Sequence, residues 1–137
     1  MIDANALLRR WIATGLSTQR VSATVLPEYN NATGDGFRPQ DGPWIVLSVR
    51  GGNAHPEAPI IAPSVQVRVW AGPEQFLAAR ARYLQVFDLL HGATGVDFDV
   101  DGHVILCQEE VQGQDVTDGD TGYATVISFF EMRCRSN

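Results

Sequence analysis

Apolar and polar positions follow two different periods along this chain, and each switch of period marks an element. Leu7, Leu8, Trp11 and Ile12 recur at helical spacing, with Asp3 placed to cap the amino end and Gly15 to close the other, which predicts a short first helix. Residues 21–26 have the β-branched content of a strand, ended by Pro27. Residues 44–50 (WIVLSVR) are apolar on both faces and predict a covered strand. In residues 64–71, Val65, Val67, Val69 and Ala71 take one face and Ser64, Gln66, Arg68 and Trp70 the other. A longer helix is expected next, started by Pro73 and Glu74, striped by Phe76, Leu77, Tyr83, Leu84, Phe87 and Leu90, and stopped by Gly92. Residues 96–100 and 103–111 read as a hairpin around Asp101-Gly102. The closing strand, 122–135, puts Ala124, Val126, Phe130, Met132 and Cys134 on one face and Ile127 and Phe129 on the other. Both of its faces are therefore expected to be covered, by helix and by another subunit.

Between these elements, residues 28–43 and 51–63 are rich in glycine or proline and predict two long polar loops, the first anchored by Tyr29 and Phe37. Residues 113–121 read as an acidic turn. The order α-β-β-β-α-β-β-β predicts an α+β fold. It is a single mixed or antiparallel sheet of about five to six strands, with the amino-terminal helix and one longer helix packed on one face. All of residues 1–137 are assigned to one domain, since the length suits one core and no internal repeat is visible.

Charge sharpens this picture. Sixteen acids against ten bases, all arginine, leave a net charge of −6, which argues against nucleic acid as the main ligand. Residues 83–132 carry ten of the acids and no lysine or arginine, so an acidic block faces a basic remainder. Such a chain is expected either to pair head to tail with copies of itself or to keep a solvated acidic hairpin. No apolar run is long enough to span a membrane, and the first residues lack an export signal, so an intracellular setting with reduced Cys107 and Cys134 is expected.

Candidate chemistry is sparse. Asp97, Asp99, Asp101 and Gly102 reproduce the first positions of a calcium loop, but the position that should supply a bidentate carboxylate is the amide Gln108. The alternation with Phe98 and Val100 reads more simply as a strand with its carboxylates in water, so no metal is assigned and these three remain the weak candidates. Asp115, Asp118 and Asp120 lack that spacing. His55, His91 and His103 are scattered, and no nucleophile or phosphate-loop motif occurs. Arg80, inside the helical stripe, is expected to snorkel, to pair with an acid or to make a contact. No cofactor and no catalytic residue are assigned.

The whole pattern resembles the tail terminator (tail-completion) family of long-tailed bacteriophages and prophages. The shared features are the short first helix, the Pro43-to-Leu47 segment (PWIVL) after a long loop, and the segment VQVRVWA ending at Ala71, which runs directly into an amphipathic helix. The polar Asp118-Gly-Asp120-Thr121-Gly122 segment before the closing strand completes the likeness. The resemblance implies a non-enzymatic virion protein of the tail or neck, assembled in the host bacterial cytoplasm. Six copies would form a ring that caps the tail tube, ends its polymerisation, and meets head-connector or neck proteins. Genomic DNA would pass through without specific binding, and no membrane is involved. Asp97, Asp99, Asp101, Asp115, Asp118, Asp120, Arg80, Tyr29 and Phe37 are the residues expected at interfaces or the channel. The alternatives are another neck or head-completion protein, a calcium-dependent binding module built on residues 97–108, and, third, a small hydrolase.

Overall fold

A computed structural model describes residues 2–54 and 59–137; His55 and Pro56 lie outside the described residues. Helix α1 (Ala4–Gly15) is followed by β1 (Val21–Ala23), β2 (Trp44–Ala54) and β3 (Ile60–Pro73). Helix α2 (Phe76–Leu90) leads to β4 (Ala93–Asp97), β5 (His103–Thr117) and β6 (Tyr123–Arg135). The fold is α+β, as expected. Its six strands form one mixed sheet in the order β1-β2-β3-β6-β5-β4, parallel only between β1 and β2.

Both helices pack on one face of the sheet. Asp3 caps α1 by accepting from the Ala6 amide at 3.2 Å, and Leu7, Leu8, Trp11 and Ile12 turn inward. They meet Ile45 and Leu47 of β2, Val65, Val67 and Val69 of β3, and Val126, Phe130 and Met132 of β6, all nearly or fully buried. Each large side chain removed from water here stabilises the fold by roughly 1.5–3 kcal/mol. Helix α1 also draws the two edges of the sheet together. Arg9 donates to the Val21 carbonyl on edge strand β1 (3.1 Å), while its neighbour Arg10 donates to the Phe98 carbonyl in the β4–β5 turn (3.0 Å). One helix about 10–12 Å wide reaches both margins, so the sheet curls around it.

Several boundaries differ from the sequence reading, each for a local reason. Residues 51–63 are not a loop as far as they are described: β2 and β3 continue to pair at Gly52–Pro63, Asn53–Ala62 and Ala54–Ile61. A bulge between Val49 and Gly52 makes this possible. Gly52 has φ 121°, and a Cβ there would lie 2.3 Å from the Ala62 carbonyl oxygen. Pro63, which has no amide proton to give, sits beside that bulge, where a sheet tolerates it. Helix α2 begins at Phe76 rather than Pro73, because Pro73 still pairs with Tyr123 and the chain reverses at Glu74, whose φ is 63°. Strand β1 stops at Ala23, where Thr24 takes φ 77°.

In the β4–β5 connection, the expected two-residue turn is a five-residue link containing a 3-10 turn, Asp99–Asp101, and β4 ends at Asp97. The acidic turn expected over 113–121 is confined to its second half: β5 runs to Thr117, and the chain reverses between Asp118 and Gly122. Residues 28–43 form a hydrogen-bonded loop, with bridges Glu28–Phe37 and Asn30–Asp35 and a 3-10 turn at Pro39–Asp41.

Candidate interaction surface

Cross-strand register assigns every side chain of the central strands to a face. Trp44, Arg68 and Trp70 share the face opposite the helices with Gln66, Ile127 and Phe129, through the pairs Trp44–Trp70, Arg68–Ile127 and Gln66–Phe129. The upper end of this second face is covered by the chain itself. Phe37 is buried and meets Tyr123 edge-on at 5.3 Å, and Tyr123 meets Trp70 at 6.4 Å. Arg68 lies over the Trp70 ring at 4.2 Å and reaches Asp118 at 3.5 Å. Burial lowers its pKa, and Asp118 opposes that shift.

The rest of the second face is open among the described residues. Phe129 and Ile127 are half-buried, and Val111 and Val116, opposite Phe129 and Thr125, are 42% and 37% exposed. Gln66, Gln108 and Gln114 supply uncharged polar groups, while Glu110 and Glu131 stand at the margin. Next to this strip lies a shallow depression of about 490 Å³, lined by Ile60, Ala62, Ile105 and Arg133 among others. The strip is thus apolar at its centre, with polar and charged side chains, Glu131 and Arg133 among them, at the adjoining depression.

The other residues singled out in the sequence fall into separate places. Asp97 accepts from the Asn137 amide at 2.6 Å and lies 3.6 Å from His103; the Asn137 hydrogen bond, more than His103, holds its carboxyl below the usual range. Asp101 pairs with Arg10, and Asp99 offers its carbonyl oxygen to Asn137. The three aspartates therefore serve different partners in a strand–turn–strand link, and no metal-binding group of three is found among the described residues. Asp115 pairs with Arg80 at 2.6 Å from an exposed position on β5, and Asp118 accepts from the Thr121 amide and hydroxyl, which hold its carboxyl low. Asp120 is exposed in the β5–β6 turn. The two acidic clusters occupy opposite ends of β5, a separation of roughly 40 Å along a strand of about 3.3 Å per residue. Tyr29 stacks beneath the Arg38 guanidinium at 4.4 Å, and Phe37 faces inward.

Charge that is segregated along the chain is thus mixed in space. Arg10–Asp101, Arg68–Asp118, Arg80–Asp115 and Arg133–Glu131 each join a basic residue from outside the acidic block to an acid within it. Such partly exposed pairs contribute about 0–1 kcal/mol each, and they reduce the plus-to-minus polarity that the sequence suggested without removing it.

One polar cluster had no sequence signal. Beneath α2, the Tyr83 hydroxyl donates to Glu109 at 2.5 Å and accepts from the Gly113 amide at 3.0 Å, and buried Ser128 is 2.7 Å from the same carboxylate. Desolvation, reinforced by Glu109, raises the Tyr83 pKa. A Cβ on Gly113 would lie 2.6 Å from the Tyr83 ring, so the bulged β5 and the tyrosine fit only around a glycine. Spacing along the chain does not bring together residues 83, 109, 113 and 128; only the fold does. Cys107 and Cys134 are buried beside one another's strands, and burial pushes their thiols up to about 12 and about 11. Neither is a thiolate near neutral pH, so neither is a ready nucleophile. No described helix is long and apolar enough to cross a membrane.

No family model matches the chain, and no curated protein matches its sequence. Among solved structures, its fold is similar to that of a chain in the virion of a native gene transfer agent particle. The TM-score is 0.57 at 16% identity, and the alignment covers 97% of this chain and 87% of that one. The likeness therefore takes in the whole arrangement of helices and strands rather than a part of it.

Proposed function

We propose that this chain is a structural virion protein of a phage-like particle, a tail terminator whose copies form a ring, expected to be hexameric. The ring caps the tail tube, stops its growth and offers a joining surface to the head connector. The full-length fold likeness to a chain of a gene transfer agent virion carries the first part of this reading. The terminator role rests on the resemblance in sequence pattern described above. The open, apolar-centred half of the second sheet face supports assembly, because a surface of that composition is suited to being covered by another protein.

In this account no residue is catalytic. Assembly takes place in the host cytoplasm, and the finished ring belongs to the tail or neck. DNA passes through without specific contacts. Asp97, Asp99 and Asp120 are the acids of the two clusters with no arginine ion pair among the described residues, so their charges are the ones left to repel a phosphate backbone.

The test is deletion of the gene from the genome that encodes it, followed by electron microscopy of the particles. The reading expects tails of uncontrolled length that do not join to filled heads. Tails of normal length with a failure confined to the portal would instead assign the chain to another neck or head-completion position. Normal, infectious or transducing particles would overturn both.

A further inference from the structure

His91 caps the carboxyl end of α2 and joins that end to β5. Its amide donates to the Phe87 carbonyl at 2.9 Å, and its ring lies on the Phe87 ring, 4.7 Å between centres and 14° from parallel. The ring Nδ1 is 3.0 Å from the Glu109 amide nitrogen. A backbone amide can only donate, so Nδ1 holds a lone pair and the ring proton sits on Nε2. The next residue, Gly92, donates to the Cys107 carbonyl at 2.8 Å, so two neighbouring bonds fasten the end of α2 to β5. Glu109 is fastened a second time through its carboxylate, which accepts from Tyr83 and Ser128. Tyr83, Phe87 and His91 recur every four residues and form one stripe of the helix. One end of that stripe holds the Glu109 backbone and the other holds its side chain. Directly beyond, β5 is irregular, with register shifts between Glu109 and Val111 and between Val111 and Gln114.

We propose that the His91–Glu109 bond is a proton-sensitive latch between α2 and the irregular half of β5, closed while the imidazole is neutral and opened when it takes up a proton. A protonated ring carries N–H on both nitrogens, so Nδ1 then meets the amide donor to donor and the ring must turn away. Histidine is the side chain that ordinarily changes charge between about pH 5 and 8. The surrounding charges set where in that range the latch opens. On α2 these are Asp88, one turn back, and the carbonyls of the last turn; on β5 they are the carboxylates of Glu109 and its neighbour Glu110; residues 93–96 of β4 carry no charge. All of these attract the charged ring. The Glu109 carboxylate belongs to the residue whose amide the ring leaves, and it is the partner the ring takes next. That exchange draws the carboxylate from Tyr83 and Ser128, so the opening passes from the end of α2 towards its middle. The latch contributes stability above the range in which the ring protonates, and the contribution is lost as pH falls through it. His103 has the opposite sign, because it stands 3.6 Å from Asp97 and gains a partner when charged. The two histidines oppose each other in overall stability, so the latch is read locally. It stands independently of the ring reading.

The experiment is site-resolved amide hydrogen exchange on the full chain between about pH 8 and about pH 5, corrected for the intrinsic rate at each pH. It compares the parent with His91→Asn and His91→Phe. Asparagine places a carbonyl oxygen where Nδ1 stood and does not titrate; phenylalanine keeps the stack on Phe87 and offers no acceptor. His91 is exposed at a helix end, so both variants should fold, and their thermal midpoints at pH about 8 are measured first. In the parent, protection of the Glu109 amide should fall about tenfold towards the acid end, with the same midpoint as the His91 ring resonances. Gly113, whose amide donates to Tyr83, should lose protection in step. The Asn variant should keep both amides protected throughout, and the Phe variant should leave Glu109 unprotected at every pH. Glu109 protection that stays level in the parent, or a fall that persists in the Asn variant, overturns the latch. A level Gly113 beside a falling Glu109 overturns its transmission to Tyr83.

Discussion

The two faces of the sheet are built from the same strands but completed in different ways. On the helix face, Val67, Val126, Phe130 and Met132 are fully buried, and two helices supply the rest of the core. On the other face, their immediate neighbours Arg68, Ile127, Phe129 and Glu131 are only partly covered, and the chain's own loop reaches no further than the Trp70 end. In β6 the difference changes with every residue. A strand with apolar side chains on both faces therefore stabilises the folded chain mainly through one of them and leaves the other partly uncovered.

The largest effect separates the faces at adjacent positions. Phe130→Ala should cost about 3–5 kcal/mol in urea unfolding, because it opens a cavity among fully buried neighbours. Phe129→Ala should cost the isolated chain under about 1 kcal/mol and act chiefly on assembly. Equal losses at the two positions would break the comparison. A smaller effect is expected beneath α2. Tyr83→Phe removes the acceptor of the Gly113 amide and a donor to Glu109, and should lower stability by about 1–3 kcal/mol without altering assembly.

Protonation gives two further signatures. The thiols of Cys107 and Cys134 titrate at about 12 and about 11 when folded, above their ordinary value of 9.0, so the folded chain holds those protons more tightly. Their contribution is complete below about pH 9 and is lost as pH rises through the folded values, with Tyr83 adding to the loss above its ordinary 10.0. A stability profile from pH 8 to 11 should fall, and the double variant Cys107→Ala/Cys134→Ala should fall less steeply. At the acid end, the Asp118 carboxyl is held low by Thr121. Its stabilisation is present above the ordinary carboxylate value near 4 and is lost as pH falls through the lower folded value. Asp118→Asn should flatten that limb slightly.

The sequence and the fold agree where one physical signal dominates. Strict alternation over Val65, Val67 and Val69 located the central strand, and the apolar run in β6 located its closing neighbour. Agreement fails where two signals compete. Glycine and proline in residues 51–63 read as loop, yet a bulge at Gly52 lets the ladder continue. Apolar spacing placed Leu77 and Leu84 in the core, but the side of α2 that meets the sheet carries Ala79, Tyr83, Val86 and Leu90, and both leucines are exposed. Local charge counts suggested a polarised chain, whereas three ion pairs between distant segments bring arginines among the acids. The Tyr83–Glu109–Ser128 cluster joins residues whose proximity exists only after folding.

The account stands most directly on the mass of the assembled species, measured by light scattering behind gel filtration over a wide concentration range, with and without calcium and with purified tail tubes. It predicts a closed species near six times 15.0 kDa, indifferent to calcium and formed either alone or on tube ends. A chain that remains at 15.0 kDa in every condition, or that associates only when calcium is added, would contradict it.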